Sequence, residues 1–286
     1  MDKYSDGDAF TENCSILRIE GDSASKIDKP TAREYPLTII FNGTQLVTML
    51  CLPDSLKELA VGFLSSEGFL HSKDEIKSVI VDNVRGVVRI ETFDGKEVSQ
   101  DTLSKRVIST GCGRGMSFYS ASDAENKVIT SKLSVTPRQI FDLTLSFQHA
   151  SVVYKETHAV HSAALCRGNQ IVAHAEDVGR HNAVDKIFGH CLLEGIQIDD
   201  CFLITSGRVS SEIAHKVVKK GIPILVSISS PTNLAVQVAD RMGVTLIASV
   251  RGGKMDVYTH DWRIFSKNRS FLVAETLMND SSNELK

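Results

Sequence analysis

The stretch Phe202-Leu-Ile-Thr-Ser-Gly-Arg-Val-Ser210 decides the fold, because a short apolar run turns into small polar residues and then into a helical pattern over residues 210–220. The same unit follows at once, since the apolar residues 222–228 lead into a second helical pattern over residues 232–242. A glycine directly after each helical pattern is well placed to end it. Strands that alternate with helices in this order predict an α/β layer structure.

The residues before this stretch extend the predicted α/β domain to residues 136–262. Thr136-Pro137 marks the start of a helix, since proline is accepted in a first helical turn. Two short strands, residues 163–166 and 171–174, follow on either side of a Gly-Asn turn. The next pattern, residues 180–193, predicts an amphipathic helix with its apolar residues on one face.

The amino-terminal half predicts a smaller, mixed and β-rich domain over residues 31–135. Its β-rich runs 35–41 and 45–52 are separated by Asn42-Gly43, which favours a hairpin because both residues accept positive φ. Asp54 is expected to cap the helix that follows, and two further strand patterns come after that helix. Outside the two domains, we expect a flexible amino-terminal segment, residues 1–30, and a polar carboxyl-terminal tail, residues 263–286.

Length and net charge limit the classes to which this protein can belong. The chain has 286 residues, which is enough for two domains, and its formal net charge is −3 with both signs interspersed. No basic patch indicates a nucleic-acid or anionic-membrane partner. The first residues lack the features of a signal peptide, and no apolar run approaches the length of a membrane span. We therefore expect a soluble cytoplasmic protein with reduced thiols.

Cys112 is the candidate nucleophile of the chain. It lies in Ser109-Thr-Gly-Cys112-Gly-Arg-Gly115, where glycines on both sides cannot build a side-chain core. Three cations are close to it in sequence: Lys105, Arg106 and Arg114. Neighbouring cations favour the thiolate, which is the form that attacks electrophiles. The alternative is an unreactive surface cysteine in an ordinary loop.

The other five cysteines carry a different signal. Cys51, Cys166 and Cys201 belong to apolar strand-like runs, and Cys191 lies on the apolar face of a helical pattern, so all four are expected to be buried. Cys14 belongs to a polar region and is not informative. The chain contains no Cys-x-x-Cys pair, and the spacings indicate neither a metal knuckle nor a disulfide framework.

Small polar residues follow several predicted strands. Open α/β sheets bind ligands at the carboxyl ends of their strands, and helix amino termini offer N–H groups to phosphate. The four junctions are Asp177-Val-Gly-Arg-His-Asn182, Thr205-Ser-Gly-Arg-Val-Ser-Ser211, Ser227-Ile-Ser-Ser-Pro-Thr-Asn233 and Ser249-Val-Arg-Gly-Gly-Lys254. Any one of them is compatible with an ordinary capped loop. Together they predict a site for a large anionic ligand that carries phosphates.

Four polar residues near these junctions allow more than one interpretation. His181 and Asp185 are one helical turn apart on the face opposite the apolar stripe, so they are placed to bond each other. That face either points into the ligand cleft, where His181 donates a hydrogen bond or moves a proton, or is simply solvated. His158 and His161 bracket the start of a strand. Metal binding by them is the less favoured interpretation, because no cysteine or carboxylate completes a site.

Several motifs together resemble the FdhD/NarQ family of formate dehydrogenase accessory sulfurtransferases. The match runs through residues 30–262 in the expected order. The motifs are Thr157-His-Ala-Val-His-Ser-Ala163, His174-Ala-Glu-Asp-Val-Gly-Arg-His-Asn-Ala-Val-Asp-Lys186, Ser206-Gly-Arg208 and Val257-Tyr-Thr-His260. The resemblance implies a cytidine-deaminase-like three-layer α/β domain with a smaller mixed β-rich domain, in a homodimer. It also implies a carrier that takes sulfur from a cysteine desulfurase and serves formate dehydrogenase.

The resemblance assigns roles to particular residues. Cys112 matches the family's persulfide-bearing cysteine in a Thr-Gly-Cys-Gly motif. The sulfur is delivered to the molybdenum cofactor, bis-molybdopterin guanine dinucleotide, which is bound as cargo and which GDP-like nucleotides are expected to mimic. No protein-bound metal is expected. The residues expected to hold the cofactor are Arg180, His181, Ser206, Gly207, Arg208, Ser249, Val250, Arg251, Gly252, Gly253 and Lys254.

The chain departs from the family pattern at Gly115. Many members have a second cysteine three residues after the first, whereas this chain has Gly115 there, so a disulfide within the segment is impossible. A scheme in which Cys112 alone attacks the donor persulfide remains open. A chain that has kept cofactor binding and lost sulfur transfer, acting as a non-catalytic chaperone for formate dehydrogenase, is the alternative.

Two other classes of enzyme are weakly indicated. His174-Ala-Glu176 has the His-x-Glu form of a zinc deaminase, but no Pro-Cys-x-x-Cys segment follows to complete the zinc site. A cysteine hydrolase built from Cys112 and a distant histidine is conceivable, although the sequence supplies no specific oxyanion site.

Overall fold

The amino-terminal part of the molecule consists of a separate hairpin and a four-stranded sheet with one helix. The computed structural model describes residues 10–95, 98, 107–108, 116–117 and 128–265. The first elements are β1 (Thr11–Glu20), β2 (Ser23–Ala32), β3 (Tyr35–Phe41), β4 (Thr44–Cys51), α1 (Leu56–Glu67), β5 (Ile76–Asp82) and β6 (Val87–Thr92). The sheet order is β4-β3-β6-β5, with β3 and β6 parallel. A short 3-10 turn, Lys73–Glu75, precedes β5.

The hairpin predicted at Asn42-Gly43 is confirmed. Both residues have positive φ, and β3 pairs antiparallel with β4. The predicted cap of α1 is wrong. The residue before the helix is Ser55 in the left-handed conformation, and neither its side chain nor that of Asp54 caps the helix. Packing of the apolar residues of α1, such as Leu59 and Phe63, against the sheet therefore holds this helix in place.

Regular structure also occurs in segments without a recognisable strand pattern. Most of the expected flexible segment 1–30 that the structure describes belongs to the β1–β2 hairpin, whose strands pair antiparallel over their full length. Farther along, β7 (Val107–Ile108) pairs antiparallel with β8 (Met116–Ser117). Alternation of apolar residues is weak in all four strands, which is why the periodicity did not reveal them.

The carboxyl-terminal part is an α/β unit around a six-stranded mixed sheet. Its elements are α2 (Pro137–Ala150), α3 (Val152–Thr157), β9 (His161–Arg167), β10 (Gln170–Asp177), α4 (Arg180–Glu194), β11 (Phe202–Thr205), α5 (Ser211–Lys219), β12 (Ile224–Ser227), α6 (Asn233–Met242), β13 (Thr245–Arg251) and β14 (Lys254–Val257). The order is β10-β9-β11-β12-β13-β14, in which β11, β12 and β13 are parallel and the other pairings are antiparallel.

The unit has three layers. Ile187 of α4 and Ile213 of α5 share one apolar core with Leu203 of the sheet, and α6 packs on the same face. Ile140 and Phe147 of α2 share a second core with the opposite face of the sheet. The predicted α/β class is therefore confirmed. The predicted start at Thr136 is also correct, because its side chain accepts from Gln139 N in a capping box.

Helix α4 differs from the amphipathic surface helix that the periodicity predicts. It is buried on nearly every side, because α1 packs across the face that faces away from the sheet. Two glycines permit this contact. A Cβ on Gly62 would lie 1.7 Å from the carbonyl oxygen of Asp185, and one on Gly189 would lie 1.8 Å from that of Glu58. The helix that completes the α/β unit is thus also the main surface against which the amino-terminal part packs.

The end of the described chain is anchored in the core. Arg263, which falls in the expected tail, is fully buried, and its guanidinium donates to the carbonyl oxygens of Ser131, Gly243 and Ile129 and to the hydroxyl of Thr245. The structured part therefore extends beyond residue 262. None of the helices formed by the described residues has the length and apolar character that crossing a membrane requires.

Candidate functional site

The polar junctions predicted from the sequence meet at one edge of the six-stranded sheet. The parallel strands β11, β12 and β13 all end there, and the antiparallel strand β9 begins there. Neighbouring strands lie about 4.8 Å apart, so the row of junctions from β9 to β13 is about 14 Å long. This length suits an extended ligand better than a single ion.

His161 and Ser206 lie at one end of this row, at the start of β9 and directly after β11. His161 Nδ1 lies 3.3 Å from Ser206 Oγ, and the same hydroxyl accepts from Ser162 N at 2.9 Å. Ser206 N in turn donates to the Ser162 carbonyl oxygen at 3.0 Å. The hydroxyl and the imidazole are therefore held together by backbone groups of two adjacent strands.

Arg180, at the first position of α4, lies against Gly207. Its side chain is buried, and a Cβ on Gly207 would lie 2.8 Å from Arg180 Cβ and 3.0 Å from its Cδ. A side chain at position 207 would therefore displace the arginine. Arg208, the next residue, is exposed. Arg180 and Arg208 therefore place one buried and one exposed guanidinium at the same junction.

His181 bonds to a different partner from the one expected. Its Nε2 lies 2.9 Å from Glu212 Oε2 and 3.4 Å from Ser210 Oγ, both at the start of α5. The predicted His181–Asp185 pair is wrong. Asp185 is buried, where it accepts from Lys216 Nζ at 2.7 Å and from Ser66 Oγ at 2.6 Å. Burial alone would lower the pKa of Lys216, but the carboxylates of Asp185 and Glu67 raise it overall.

The long motif around α4 contributes structure as well as site residues. Asp177 and Lys186 form a fully buried ion pair with 2.8 Å between Oδ2 and Nζ. Asp177 also accepts from Leu52 N at 3.0 Å, and Lys186 donates to the Leu52 carbonyl oxygen at 3.4 Å. Asn182 Nδ2 donates to the Leu50 carbonyl oxygen at 2.9 Å. These residues fix the end of β4 against α4.

Hydrogen bonds join the adjacent junctions into a continuous edge. Ser227 Oγ donates to the Gly207 carbonyl oxygen at 2.8 Å, and Thr232 N donates to the Val209 carbonyl oxygen at 2.9 Å. Farther along, Ser230 Oγ lies 3.4 Å from Ser249 Oγ. The predicted residues 206–208 and 249 are therefore connected through the junction that follows β12.

The segment 249–254 is a bulge followed by a tight turn. Ser249 has φ of +56°. Gly252 and Gly253 also have positive φ, so they form the two-residue turn between β13 and β14, a geometry that a residue with a Cβ adopts only with strain. Arg251 and Lys254 pair across this turn, and both are exposed. The side chain of Val250 is buried in the core against α2, so this residue offers a ligand only its backbone.

His161 lies at the candidate site, although the sequence reasoning did not assign it to the ligand. Burial, Arg180 and His181 lower the pKa of its imidazole, in that order of size, while Asp177 acts in the opposite direction. The signal in the sequence was its position at the start of β9, directly beside Ser162. Position in the sheet, rather than metal-ligand spacing, was the relevant property.

The zinc-deaminase interpretation receives no support from the described residues. Glu176 is buried, and its two carboxylate oxygens accept from Val153 N and Tyr154 N, each at 3.0 Å, at the start of α3. Burial lowers the pKa of His174, whose Nε2 lies 3.4 Å from Ser151 Oγ. Among the residues that the structure describes, no group of three or more His, Cys, Asp or Glu is placed to hold a metal ion.

Four cysteines are unsuited to carry a reactive sulfur. Cys51, Cys166, Cys191 and Cys201 are buried, as the sequence predicts. Burial raises the pKa of the first three thiols to about 12 and that of Cys201 to about 11. Cys14 is exposed on β1, where its Sγ lies 3.3 Å from Thr31 Oγ1. Cys112 lies outside the described residues, between β7 and β8 in the chain.

Comparison with known proteins gives a consistent result. The profile of the FdhD/NarQ family matches residues 32–265. A protein named sulfur carrier protein FdhD from Bacillus subtilis is 38% identical over 258 residues, which cover 90% of this chain and 98% of that protein. A protein of the same name from Staphylococcus aureus is 38% identical over 255 residues, covering 89% and 96%. A crystal structure from Desulfotalea psychrophila, described as a formate dehydrogenase accessory protein, has a TM-score of 0.73 and 25% identity, covering 90% of this chain and 100% of that one.

Proposed function

The chain belongs to the FdhD/NarQ family, and on that premise we propose that it is a sulfur carrier that supports formate dehydrogenase. In the detailed form of the proposal, Cys112 takes sulfur from a cysteine desulfurase as a persulfide. The sulfur then passes to the molybdenum cofactor, bis-molybdopterin guanine dinucleotide, before that cofactor enters the enzyme. Reduced cysteine is required for this chemistry, which fits the expected cytoplasmic setting.

The distribution of cysteines is the observation that carries this proposal. Sulfur exchange needs a thiolate that can meet a partner protein, and the four buried cysteines have neither access nor a suitable pKa. Cys14 and Cys112 are the two that remain. Only Cys112 has cations close to it in sequence on both sides, together with the Thr-Gly-Cys-Gly pattern of the family.

The loading step is an ordinary thiol exchange. The Cys112 thiolate attacks the outer sulfur of the donor's cysteine persulfide, a new S–S bond forms on Cys112, and the donor cysteine leaves as a thiolate. No oxidant is consumed, because one S–S bond replaces another. Gly115 stands where many relatives have a second cysteine, so no thiol three residues away can displace the loaded sulfur.

The row of junctions at the sheet edge supports the binding of a phosphate-bearing cargo. It combines the buried guanidinium of Arg180, the exposed cations Arg208, Arg251 and Lys254, and several hydroxyl groups. Cations and backbone N–H groups at helix starts are the usual partners of phosphates. We place the guanine dinucleotide along this edge, and GDP is the expected mimic.

The proposal is tested by mass analysis of the loaded protein. The full chain is incubated with a cysteine desulfurase and cysteine, and its peptides are then analysed for an added sulfur atom. Wild type and Cys14→Ser are expected to carry the persulfide on the Cys112 peptide, whereas Cys112→Ser carries none. Equal labelling of Cys112→Ser and wild type contradicts the assignment.

A non-catalytic cofactor chaperone is the second candidate, and the replacement of the second cysteine by Gly115 is the observation that favours it. In that case Cys112→Ala supports the maturation of formate dehydrogenase as well as wild type does. Loss of maturation in Cys112→Ala, with normal maturation in Cys14→Ala, supports the carrier instead. The homodimer stays a prediction, which light scattering of the purified chain would test.

A further inference from the structure

One end of the proposed cargo site holds three nitrogenous side chains close together. His161 of β9 contacts Ser206, Arg180 of α4 lies against Gly207, and His181 Nε2 of α4 lies 3.4 Å from Ser210 Oγ, so the three side chains reach the same junction. The arginine is buried and permanently charged. The charge of Arg180 disfavours protonation of the His161 ring unless an anion lies beside them both.

The two nearby carboxylates are bonded to groups other than His161. Asp177, at the end of β10, is bonded to Lys186 and to the backbone of Leu52. Glu212, at the start of α5, is bonded to His181 at 2.9 Å. The hydrogen-bond partner of His161 is the hydroxyl of Ser206, which serves either a neutral or a charged ring. Among the residues that the structure describes, no carboxylate is hydrogen-bonded to His161.

These surroundings decide the state of His161 in the ligand-free protein. Burial, Arg180 and His181 lower the pKa of the His161 imidazole, so this ring is neutral at neutral pH. A phosphate placed between His161 and Arg180 reverses the balance, because an adjacent anion stabilises the imidazolium form. The ring would then offer a charge-assisted N–H bond to the phosphate.

We propose that His161 is a proton-accepting residue of the cargo site, which is neutral in the free protein and becomes an imidazolium that bonds a phosphate of the bound nucleotide. This inference rests on the proposed function, since it takes a phosphate-bearing cargo as the ligand. It adds that binding takes up a proton. By linkage, the affinity for the nucleotide then rises as the pH falls, by at most about tenfold per pH unit for one proton.

The test measures proton uptake directly. GDP is titrated into the full chain by calorimetry near neutral pH, in two buffers whose ionisation enthalpies differ strongly. Net uptake of up to about one proton per GDP, shown by buffer-dependent heats, is expected for the wild type. The same titrations are run on His161→Gln and His158→Asn. The last is a matched control, because His158 has positive φ, which asparagine tolerates, and lies outside the cluster.

The outcomes separate this inference from the proposed function. Uptake that persists in His158→Asn but is lost in His161→Gln supports the assignment, whereas loss of uptake in both variants contradicts it. Wild-type binding with no uptake overturns it, as does uptake that His161→Gln retains, while nucleotide binding itself stands. Failure of GDP to bind the wild type overturns both this inference and the cargo site. The persulfide assay on Cys112 is independent of each result.

Discussion

Lys220 is a lysine whose charge is poorly solvated in the folded protein. It follows α5, donates to Ser65 Oγ and lies 5.9 Å from the centre of the Phe188 ring. Burial lowers its pKa from 10.5 to about 8; Asp185 partly offsets the effect and Lys216 adds to it. The unfolded chain therefore holds the proton between about pH 8 and 10.5, whereas the folded chain releases it. In that window, stability contributed by this group rises with pH.

We expect Lys220→Met to be more stable than wild type at pH 7 and the difference to narrow as the pH rises from 8 to 10. The full shift, from 10.5 to about 8, corresponds to at most about 3 kcal/mol. The buried thiols have the opposite effect above pH 9. Their pKa is raised in the folded protein, so the unfolded chain releases these protons first and stability falls as the pH rises. The contributions of Cys51 and Cys166 cancel in the difference between the two proteins, whereas that of Cys191 cancels only in part, because its thiol interacts with Lys220.

Urea unfolding at a series of pH values measures these free energies. Lys57→Met is the matched control, since Lys57 is exposed on α1, and its difference from wild type is expected to be flat with pH. A difference between Lys220→Met and wild type that stays constant from pH 7 to 10 would show that Lys220 keeps an ordinary proton affinity.

At the residue scale, the sequence predicted which cysteines are buried but not which charged residues form pairs. The burial of Cys51, Cys166 and Cys191 followed from the apolar runs that contain them. The partners of His181 and Asp185 could not be predicted in this way. Helical spacing places both residues on one face of α4, but it does not reveal that Glu212 and Lys216 of α5 lie opposite them. Such pairings depend on how helices pack, which local spacing does not contain.

At the element scale, the contact between α1 and α4 is controlled by two glycines. An isolated glycine within a helical pattern is a signal of close packing, and Gly62 and Gly189 both fit that description. The periodicity of α4 nevertheless predicted a polar face opposite the apolar stripe, either solvated or turned into the ligand cleft. Asp185, which the sequence placed on that face, is paired with Lys216 inside the protein.

Gly189→Ala is expected to destabilise the protein by about 1–3 kcal/mol, because the added Cβ would lie 1.8 Å from the Glu58 carbonyl oxygen and the helices must separate. Helix propensity alone predicts the opposite sign, a gain of about 1 kcal/mol for glycine to alanine. Urea unfolding distinguishes the two. Gln148→Ala, at an exposed position of α2, is the control and should change stability by less than about 0.5 kcal/mol. A stabilised Gly189→Ala would mean that the helices are not in backbone contact.

The site, too, shows what element-level patterns can predict. The strand-to-helix junctions were identified from the sequence, and the parallel strands β11, β12 and β13 bring three of them to one edge. The direction of β9 was not predictable from its apolar run, because an isolated strand pattern carries no information on pairing. That direction is what brings His161 to the edge.

At the scale of the whole molecule, the amino-terminal part and the α/β unit share buried polar contacts as well as helix packing. Lys186 and Asp177 clamp the backbone of Leu52, and Lys216 lies between Asp185 and Glu67 of α1. If the amino-terminal part unfolded alone, both ion pairs would persist, but they would lose their contacts with Leu52 and Glu67, and the face of α4 that α1 covers would be exposed to water. The two parts are therefore expected to unfold together.

We predict one cooperative unfolding transition in urea. Lys186→Met should move its midpoint to lower urea concentration without dividing it into two transitions. Trp262 is the only tryptophan, so its fluorescence reports the α/β unit, whereas far-ultraviolet circular dichroism reports both parts. The two signals should coincide in urea.

Lys186→Met leaves Asp177 buried without its counterion and should lower stability by about 3–5 kcal/mol. Lys77→Met removes an exposed pair with Glu91 and should change stability by less than about 1 kcal/mol. Separate wild-type transitions for fluorescence and dichroism would show that the shared contacts do not couple the two parts.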